Sequence, residues 1–205
     1  MPPLELDLRG LAPGEGPERA QLADVATADA VVVRGAVPAL NGVLAALHRA
    51  GRTADVPVSW EPAGDDDSAG LARDIGLGTG ELRPMSLVRD DHGGVLLHAG
   101  RVEPAGGEPR GMLGRRLGLQ AHHDAAKIAD GLVTRIDVRP DWAAVDRIRA
   151  VVTVLPLRPT RRSIGRALQI ASDPARILRD GVPYPRAVSR WTWYADDRVR
   201  WLLRP

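Results

Sequence analysis

Two short segments of this 205-residue chain carry residue types from which a phosphate-binding site is built. The first is Arg34-Gly35-Ala36-Val37-Pro38-Ala39-Leu40-Asn41, entered from Val31-Val32-Val33. A phosphate cradle needs glycines, so that backbone amides can approach the anion, and usually a carboxylate to hold magnesium. Here Gly35 is the one glycine before the apolar run Leu40, Val43, Leu44 and Leu47, and the loop holds no carboxylate. The second segment is Pro62-Ala63-Gly64-Asp65-Asp66-Asp67-Ser68. Three adjacent aspartates have the chemistry for a cation, but consecutive side chains rarely converge on one ion. Loop solvation and compensation of a helix N-terminus account for them better. His122-His123-Asp124 also carries metal-ligand residue types. On the helix expected over residues 113–129, however, adjacent histidines point about 100° apart and cannot readily share an ion. No Gly-x-Ser-x-Gly elbow occurs, and no credible Ser/His/Asp set is present. The absence of cysteine excludes disulfides, thiolate metal sites and cysteine nucleophiles.

The elements that must position the two loops read as alternating strands and helices. Leu4, Leu6 and Leu8 alternate as in a strand, and a helix is expected over 16–27 with Pro17 near its start. A strand follows at 29–34. A helix over 38–50 is started by Pro38 and closed by Gly51. After a strand at 56–61, Ser68 is the expected cap of a helix bearing Leu71, Ala72 and Ile75, ended by Gly76. Such alternation favours a parallel sheet with helices packed on it, and both loops then fall at strand carboxyl ends, where open α/β sheets build their ligand crevice.

After about residue 80 the rhythm changes. Residues 85–88 and 95–97 flank Asp90-Asp91-His92-Gly93-Gly94, a hairpin signal. Residues 104–111 are Pro/Gly-rich and read as a loop. The stretches 132–139, 148–154, 167–171, 175–179, 188–194 and 198–203 read as strands. The last two are expected to form a hairpin turning at Ala195-Asp196-Asp197, with Trp191, Trp193 and Trp201 packed across strands. The fold class is α/β plus β. A small parallel α/β domain of two or three layers spans residues 1–79, and a mostly antiparallel β-sandwich domain spans 80–205.

Charge divides along the same line. Residues 1–100 hold 8 Arg and 15 Asp or Glu, a net of −7; residues 101–205 hold 20 Arg plus Lys and 11 Asp or Glu, a net of +9. Within the basic half, Arg158, Arg161, Arg162 and Arg166 cluster around Pro159. Such a half suits an anionic membrane surface, and a solvated basic face explains it equally well. Apolar runs are short and interrupted by charge, so no membrane-spanning helix is expected. The N-terminus lacks a signal segment, which makes a cytoplasmic location the expectation, with the inner membrane face as a place of attachment. Basic residues are almost all Arg, with Lys127 the single lysine, and Ala, Gly and Pro are abundant. That balance fits a high-GC, bacterial genome.

The order of these pieces resembles the diacylglycerol kinase catalytic-domain family of lipid kinases, whose fold is related to NAD kinases. In that family a strand leads into Gly-Gly-Gly-Asp-Gly-Thr-Val-Asn and a helix. Arg34 to Asn41 lie on that motif: Gly35 and Asn41 match, while Arg34 and Ala36 replace glycines and Val37 replaces the aspartate. Pro38 stands at the next glycine and Ala39 at the threonine. A second signature resembles Pro-Ala-Gly-Thr, then Asn and Phe-Ala-Arg-Asp-Leu-Gly-Leu. Pro62-Ala63-Gly64 and Leu71-Ala72-Arg73-Asp74-Ile75-Gly76-Leu77 match it, with Asp65 on the threonine and Asp67 near the asparagine. Asp180-Gly181-Val182 lie on the family's Asp-Gly-Glu, so Val182 replaces the glutamate. Arg198 to Pro205 resemble the closing strand. The family's first βα unit, with its Asn-Pro and nucleotide-binding loop, is expected to be missing.

The resemblance implies an ATP-dependent lipid kinase ancestry with ATP and magnesium as cofactors if activity is retained, and none otherwise. Val37 cannot ligate magnesium, Val182 cannot act as a general base, and Pro38 removes an amide donor. Each such loss is worth roughly 10² or more in rate. Arg34, Gly35, Asn41, Gly64 and Asp65 then mark a vestigial nucleotide cleft with no catalytic residue at its centre. The leading reading is a noncatalytic lipid-kinase-like protein with a binding or regulatory role. Two others stay open: an active kinase with magnesium held by Asp65, Asp66 or Asp67, and a peripheral membrane or partner-binding module using the basic half. Expected partners are an anionic lipid surface and a second copy paired through a sheet edge; nucleic acid is not expected.

Overall fold

The computed structural model describes residues 2–106, 115–154 and 161–205. Arg158, Pro159 and residues 107–111 of the Pro/Gly-rich stretch lie outside the described residues. The first strands are short and parallel: β1 (Leu4–Asp7) pairs with β2 (Val31–Gly35), and β2 with β3 (Pro57–Pro62). Val31 and Val33 are fully buried, as β-branched residues in a covered parallel strand should be. Helix α1 (Val37–Arg49) follows β2 and buries Leu40, Val43, Leu44 and Leu47 along one face. Helix α2 (Asp66–Asp74) follows β3 and anchors through Leu71.

The antiparallel strands are β4 (Arg83–Asp90), β5 (Val95–Leu96), β6 (Gly100–Pro104), β7 (Leu117–His123), β8 (Ala126–Val133), β9 (Arg135–Pro140), β10 (Ile148–Thr153), β11 (Arg161–Gly165), β12 (Ala167–Arg179), β13 (Val182–Pro183) and β14 (Val188–Arg204). One continuous sheet joins them to the parallel strands in the order β1-β2-β3-β14-β12-β6-β9-β10-β11, with β7–β8 paired onto β12. Strand β14 is the hinge of this architecture. Its first half carries Trp191 and Trp193 into the core of the antiparallel region. Its last residues pair parallel with β3 and carry Trp201 and Leu203 into the core under α1 and α2. The α/β plus β arrangement read from the sequence is therefore the observed one, and the closing strand is where the resemblance put it.

Four local expectations are corrected. Residues 16–27 are turns ending in a 3-10 turn at Val25–Thr27, not a helix. Gly14 and Gly16 flank the glutamate there, and Pro17 packs on α1 so closely that a Cβ at Gly42 would stand 2.6 Å from its ring. Residues 117–123 and 126–133 are strands rather than one helix. Leu117, Leu119, Ala121 and His123 bury every second side chain, the period of a strand. Asp124 makes the turn at φ 53, its carboxylate accepting the Arg166 and Ala167 amides. Ala195 to Asp197 do not turn: β14 runs on, with a register shift against β4 between Asp196 and Arg200. Ser68 does not cap α2 either. Asp65 is the N-cap, its carboxylate accepting the Ser68 amide at 2.9 Å and hydroxyl at 2.7 Å.

On strand β7 His122 and His123 point to opposite faces of the sheet, so they share no ion. His123 is buried with Nδ1 2.7 Å from the Ser163 hydroxyl. Burial pushes the imidazoles of His123 and His48 below their ordinary value. A proton then binds the unfolded chain more readily than the folded one. The stability these groups contribute is complete above the ordinary histidine pKa and is lost as pH falls through it toward the lower folded value. The melting temperature is expected to fall between about pH 7.5 and about pH 5, and His123→Asn to flatten part of that slope in pH-resolved calorimetry.

Candidate functional site

A cavity of about 330 Å³ opens at the carboxyl ends of β2 and β3. The loop Leu11–Glu15 forms one wall, Ala36-Val37-Pro38 at the start of α1 a second, and Asp65 with Asp67 a third. His98-Ala99 and Asp180-Gly181 close it from the antiparallel side. This is the crevice position expected for an open α/β sheet.

Gly35 makes the turn from β2 into α1. Its carbonyl accepts the Trp60 indole N–H at 2.9 Å and the Ala63 amide at 3.1 Å. A Cβ there would lie 2.9 Å from the Ala39 methyl and 3.0 Å from the Leu8 carbonyl oxygen, at a φ of 151°. Gly35→Ala is expected to cost roughly 1–3 kcal/mol, read as a lowered denaturant midpoint at unchanged m-value.

Arg34, one residue earlier, points along the sheet instead of into the crevice. Its guanidinium spans Glu5 on β1 at 2.9 Å and Glu61 on β3 at 2.8 Å, tying the three parallel strands. Val37 lines the cavity and is buried. Val182 lies beside Gly16, its methyls 3.7 Å from where a Cβ on that glycine would stand. Gly64 is exposed at the entrance to α2, and Asp65 spends both carboxylate oxygens on Ser68.

Asn41 sits on α1 with its amide nitrogen donating to the Val95 carbonyl at 2.8 Å and to Asp180 at 2.6 Å. Asp180 is the node of the site. It is buried, sits at φ 50, and accepts the amides of Leu97 at 2.9 Å, His98 at 2.7 Å and Ala99 at 2.8 Å besides Asn41. Burial pushes its carboxyl up, and those donors pull it back. Asn41 and Asp180, which lie on two separate motifs of the resemblance, are thus bonded to each other, and they clamp α1 to the antiparallel half. The structure brings Asp65 and Val37 to the cavity wall and leaves Arg34, Gly35, Asn41, Gly64 and Val182 outside the lining.

His98 escaped the sequence reading. It follows the apolar Leu96-Leu97 and carries no motif, yet its ring lies in the cavity wall with Nε2 3.2 Å from Asp67. Asp90 and Arg179 escaped as well. They form an ion pair at 3.1 Å in which the Asp90 side chain is wholly buried. Among the described residues, the three potential metal ligands within 4.8 Å of one another are Asp90, Asp91 and His92, on the hairpin away from the cavity. There Asp90 already accepts two backbone amides and Arg179, and Asp91 accepts the Thr192 amide and faces the His92 ring.

No protein-family model and no curated protein sequence matches the chain. Its similarity to solved structures is extensive. A diacylglycerol kinase from Bacillus anthracis str. Sterne superposes with a TM-score of 0.67 over 92% of this chain and 83% of that one, at 9% identity. An NAD kinase from Archaeoglobus fulgidus, in complex with ATP, gives 0.57 over 89% and 80%, at 10% identity. Yeast NADH kinase complexed with NADH gives 0.58 over 86% and 62%, at 9% identity. The chain has the fold shared by diacylglycerol kinases and NAD kinases. Among the described residues no helix is long and apolar enough to cross a membrane.

Proposed function

We propose that this protein is a noncatalytic member of the lipid-kinase-like fold, with a cleft that binds and no longer transfers a phosphoryl group. The observation that carries the reading is the state of the cleft's acidic groups. Asp65 is committed to Ser68, Asp180 to three amides and Asn41, and Asp67 faces His98. Glu15 remains, on the exposed outer loop. Phosphoryl transfer depends on positioning and on charge stabilisation by metal ions and donors. Val37 offers neither, and Pro38 brings no N–H to the start of α1. The residues present do not fit magnesium, and Val37 and Pro38 offer a nucleoside triphosphate no side-chain donor or Pro38 amide.

The reading with relocated ligands makes a separate expectation. If Asp65, Asp66 or Asp67 held magnesium, ATP would bind in a magnesium-dependent manner and binding would vanish in the Asp65/Asp66/Asp67→Ala variant. The noncatalytic reading expects calorimetric titrations of ATP with and without magnesium to be indistinguishable. Attachment to an anionic lipid surface is supported by the basic C-terminal half. Sedimentation with anionic liposomes at low and high salt tests it, and salt-insensitive or absent binding would remove it.

A further inference from the structure

The cleft continues into a second hollow on the outer face of the antiparallel sheet. The two share Asp67, Ala99 and Gly181. This groove has a volume of about 470 Å³, and its lining is dominated by Arg101, Arg135 and Arg139 around Asp137. Strand register makes the cluster. Arg135, Asp137 and Arg139 alternate along β9, so all three stand on the exposed face about 7 Å apart in turn. Arg101 of β6 is the direct cross-strand partner of Asp137.

Asp137 organises its neighbours. One oxygen takes the Arg101 Nε at 2.8 Å and the other the Arg135 Nε at 2.7 Å. The Asp137 side chain is 27% exposed, whereas those of Arg101 and Arg135 are 44% and 45% exposed. Both guanidiniums are held through Nε, and among the described residues nothing is bonded to their terminal nitrogens. The Arg139 side chain has no hydrogen bond or ion pair among the described residues. The groove is lined by three guanidiniums and two carboxylates; Asp137 is taken up by two of the guanidiniums and Asp67 faces His98. Such a surplus of preoriented forks is the arrangement that favours a tetrahedral oxyanion, because each fork can donate two parallel N–H bonds.

The geometry points to a phosphate-group site in the Arg101–Arg135–Arg139 groove, serving a ligand whose apolar body enters the cleft past Val37 and Pro38. The cleft end supports the second part: Leu11, Pro13, Val37 and Pro38 line it, and they offer apolar surface and few donors. A phosphate ester with an apolar moiety matches both ends. Its source is either a soluble ester or the head group of a membrane lipid. The site deepens the noncatalytic binding reading, and its test does not measure phosphoryl transfer, so the two fail separately.

The test uses the full chain and two variants that each remove one exposed positive charge. Arg139→Ala removes the unpaired fork, and Arg186→Ala removes an exposed arginine outside the groove. The soluble arm titrates inorganic phosphate and glycerol 3-phosphate by calorimetry against chloride at matched ionic strength. The lipid arm sediments the protein with phosphatidylcholine vesicles containing phosphatidate, against vesicles carrying the same charge as oleate. Saturable binding in the first arm assigns a soluble ester; binding to phosphatidate above oleate assigns a lipid head group. In either case Arg139→Ala is expected to weaken binding by about tenfold or more, the loss of a charge-assisted pair, with Arg186→Ala unchanged. Thermal melts of both variants confirm folding, and Arg139→Glu repeats the test with reversed charge. Absence of binding in both arms, or equal weakening by Arg139→Ala and Arg186→Ala, overturns the site.

Discussion

Replacing Asp180 by alanine is expected to destabilise this protein by roughly 3–5 kcal/mol. The side chain is buried and its two oxygens collect the amides of Leu97, His98 and Ala99 together with the Asn41 side chain. Alanine would leave these donors facing one another in the interior, and each orphaned buried donor costs about 1–3 kcal/mol. Relief of carboxylate desolvation offsets part of this, since burial already pushes the Asp180 carboxyl up. The loss remains a large share of a typical stability of about 5–15 kcal/mol. The damage should also be specific in place. Asn41 and Asp180 join α1 to the β5–β6 connection, so the two halves of the sheet should lose cooperativity, seen as a broadened urea transition. Asp180→Asn keeps one acceptor oxygen and should fall between parent and alanine variant. An alanine variant within about 0.5 kcal/mol of the parent would show that Asp180 is not the clamp described.

The second large effect is expected at Asp90. Its carboxylate is wholly buried, pairs with Arg179 at 3.1 Å and accepts the amides of His92 and Gly94 at 2.9 Å each. Arg179 in turn lies 5.4 Å from the Tyr184 ring centroid and 5.8 Å from that of Trp191. His92 stacks on Trp191 at 4.5 Å, so the hairpin, the ion pair and the tryptophan core form one packed unit. Asp90→Ala strands a largely buried guanidinium and should cost about 3–5 kcal/mol. Replacing both partners, as Asp90→Asn with Arg179→Met, should recover much of that loss, because an uncompensated charge is worse than no charge. A double-mutant cycle followed by tryptophan fluorescence reads the coupling directly. Gly94 belongs to the same unit: a Cβ there would stand 1.4 Å from an Arg179 nitrogen and 2.6 Å from an Asp90 oxygen, so any other residue would push the pair apart.

The parallel half of the fold was legible because its signals are local. Valine runs, an apolar stripe at helical spacing, Pro38 at the start of α1 and glycines at the turns all act within a few residues. The errors arose where two periods compete or where a distant partner decides. Leu117 to Val133 holds apolar residues compatible with either period, and pairing of β7 with β12 settles the matter, with Asp124 supplying the turn. Asp196-Asp197 looks like a hairpin turn, yet β4 pairs with β14 on both sides of it and keeps the strand extended. Residues 16–27, expected as a helix with Pro17 near its start, pack instead through Pro17 onto Gly42, a contact that no local pattern reveals.

At the candidate site the sequence offers substitutions against the resembled motifs more than it offers contacts. Val37 and Val182 can be read as absent carboxylates because the surrounding motif residues remain in order. What the remaining residues do is a matter of long-range contact. Asn41 meets Asp180 across 139 residues, and Arg34 meets Glu5 and Glu61 across three strands. His98 and Asp67 meet only because the β5–β6 connection folds over α2. None of these pairings leaves a mark in spacing or composition.

The central claim is that the fold persists while phosphoryl transfer is gone, and an assay with labelled ATP, magnesium and diacylglycerol in mixed micelles tests it most directly. Incubation with the purified chain is expected to yield no labelled phosphatidate above a protein-free blank, with or without the Asp65/Asp66/Asp67→Ala substitutions. Label transfer by the parent chain that disappears in that variant would contradict the account.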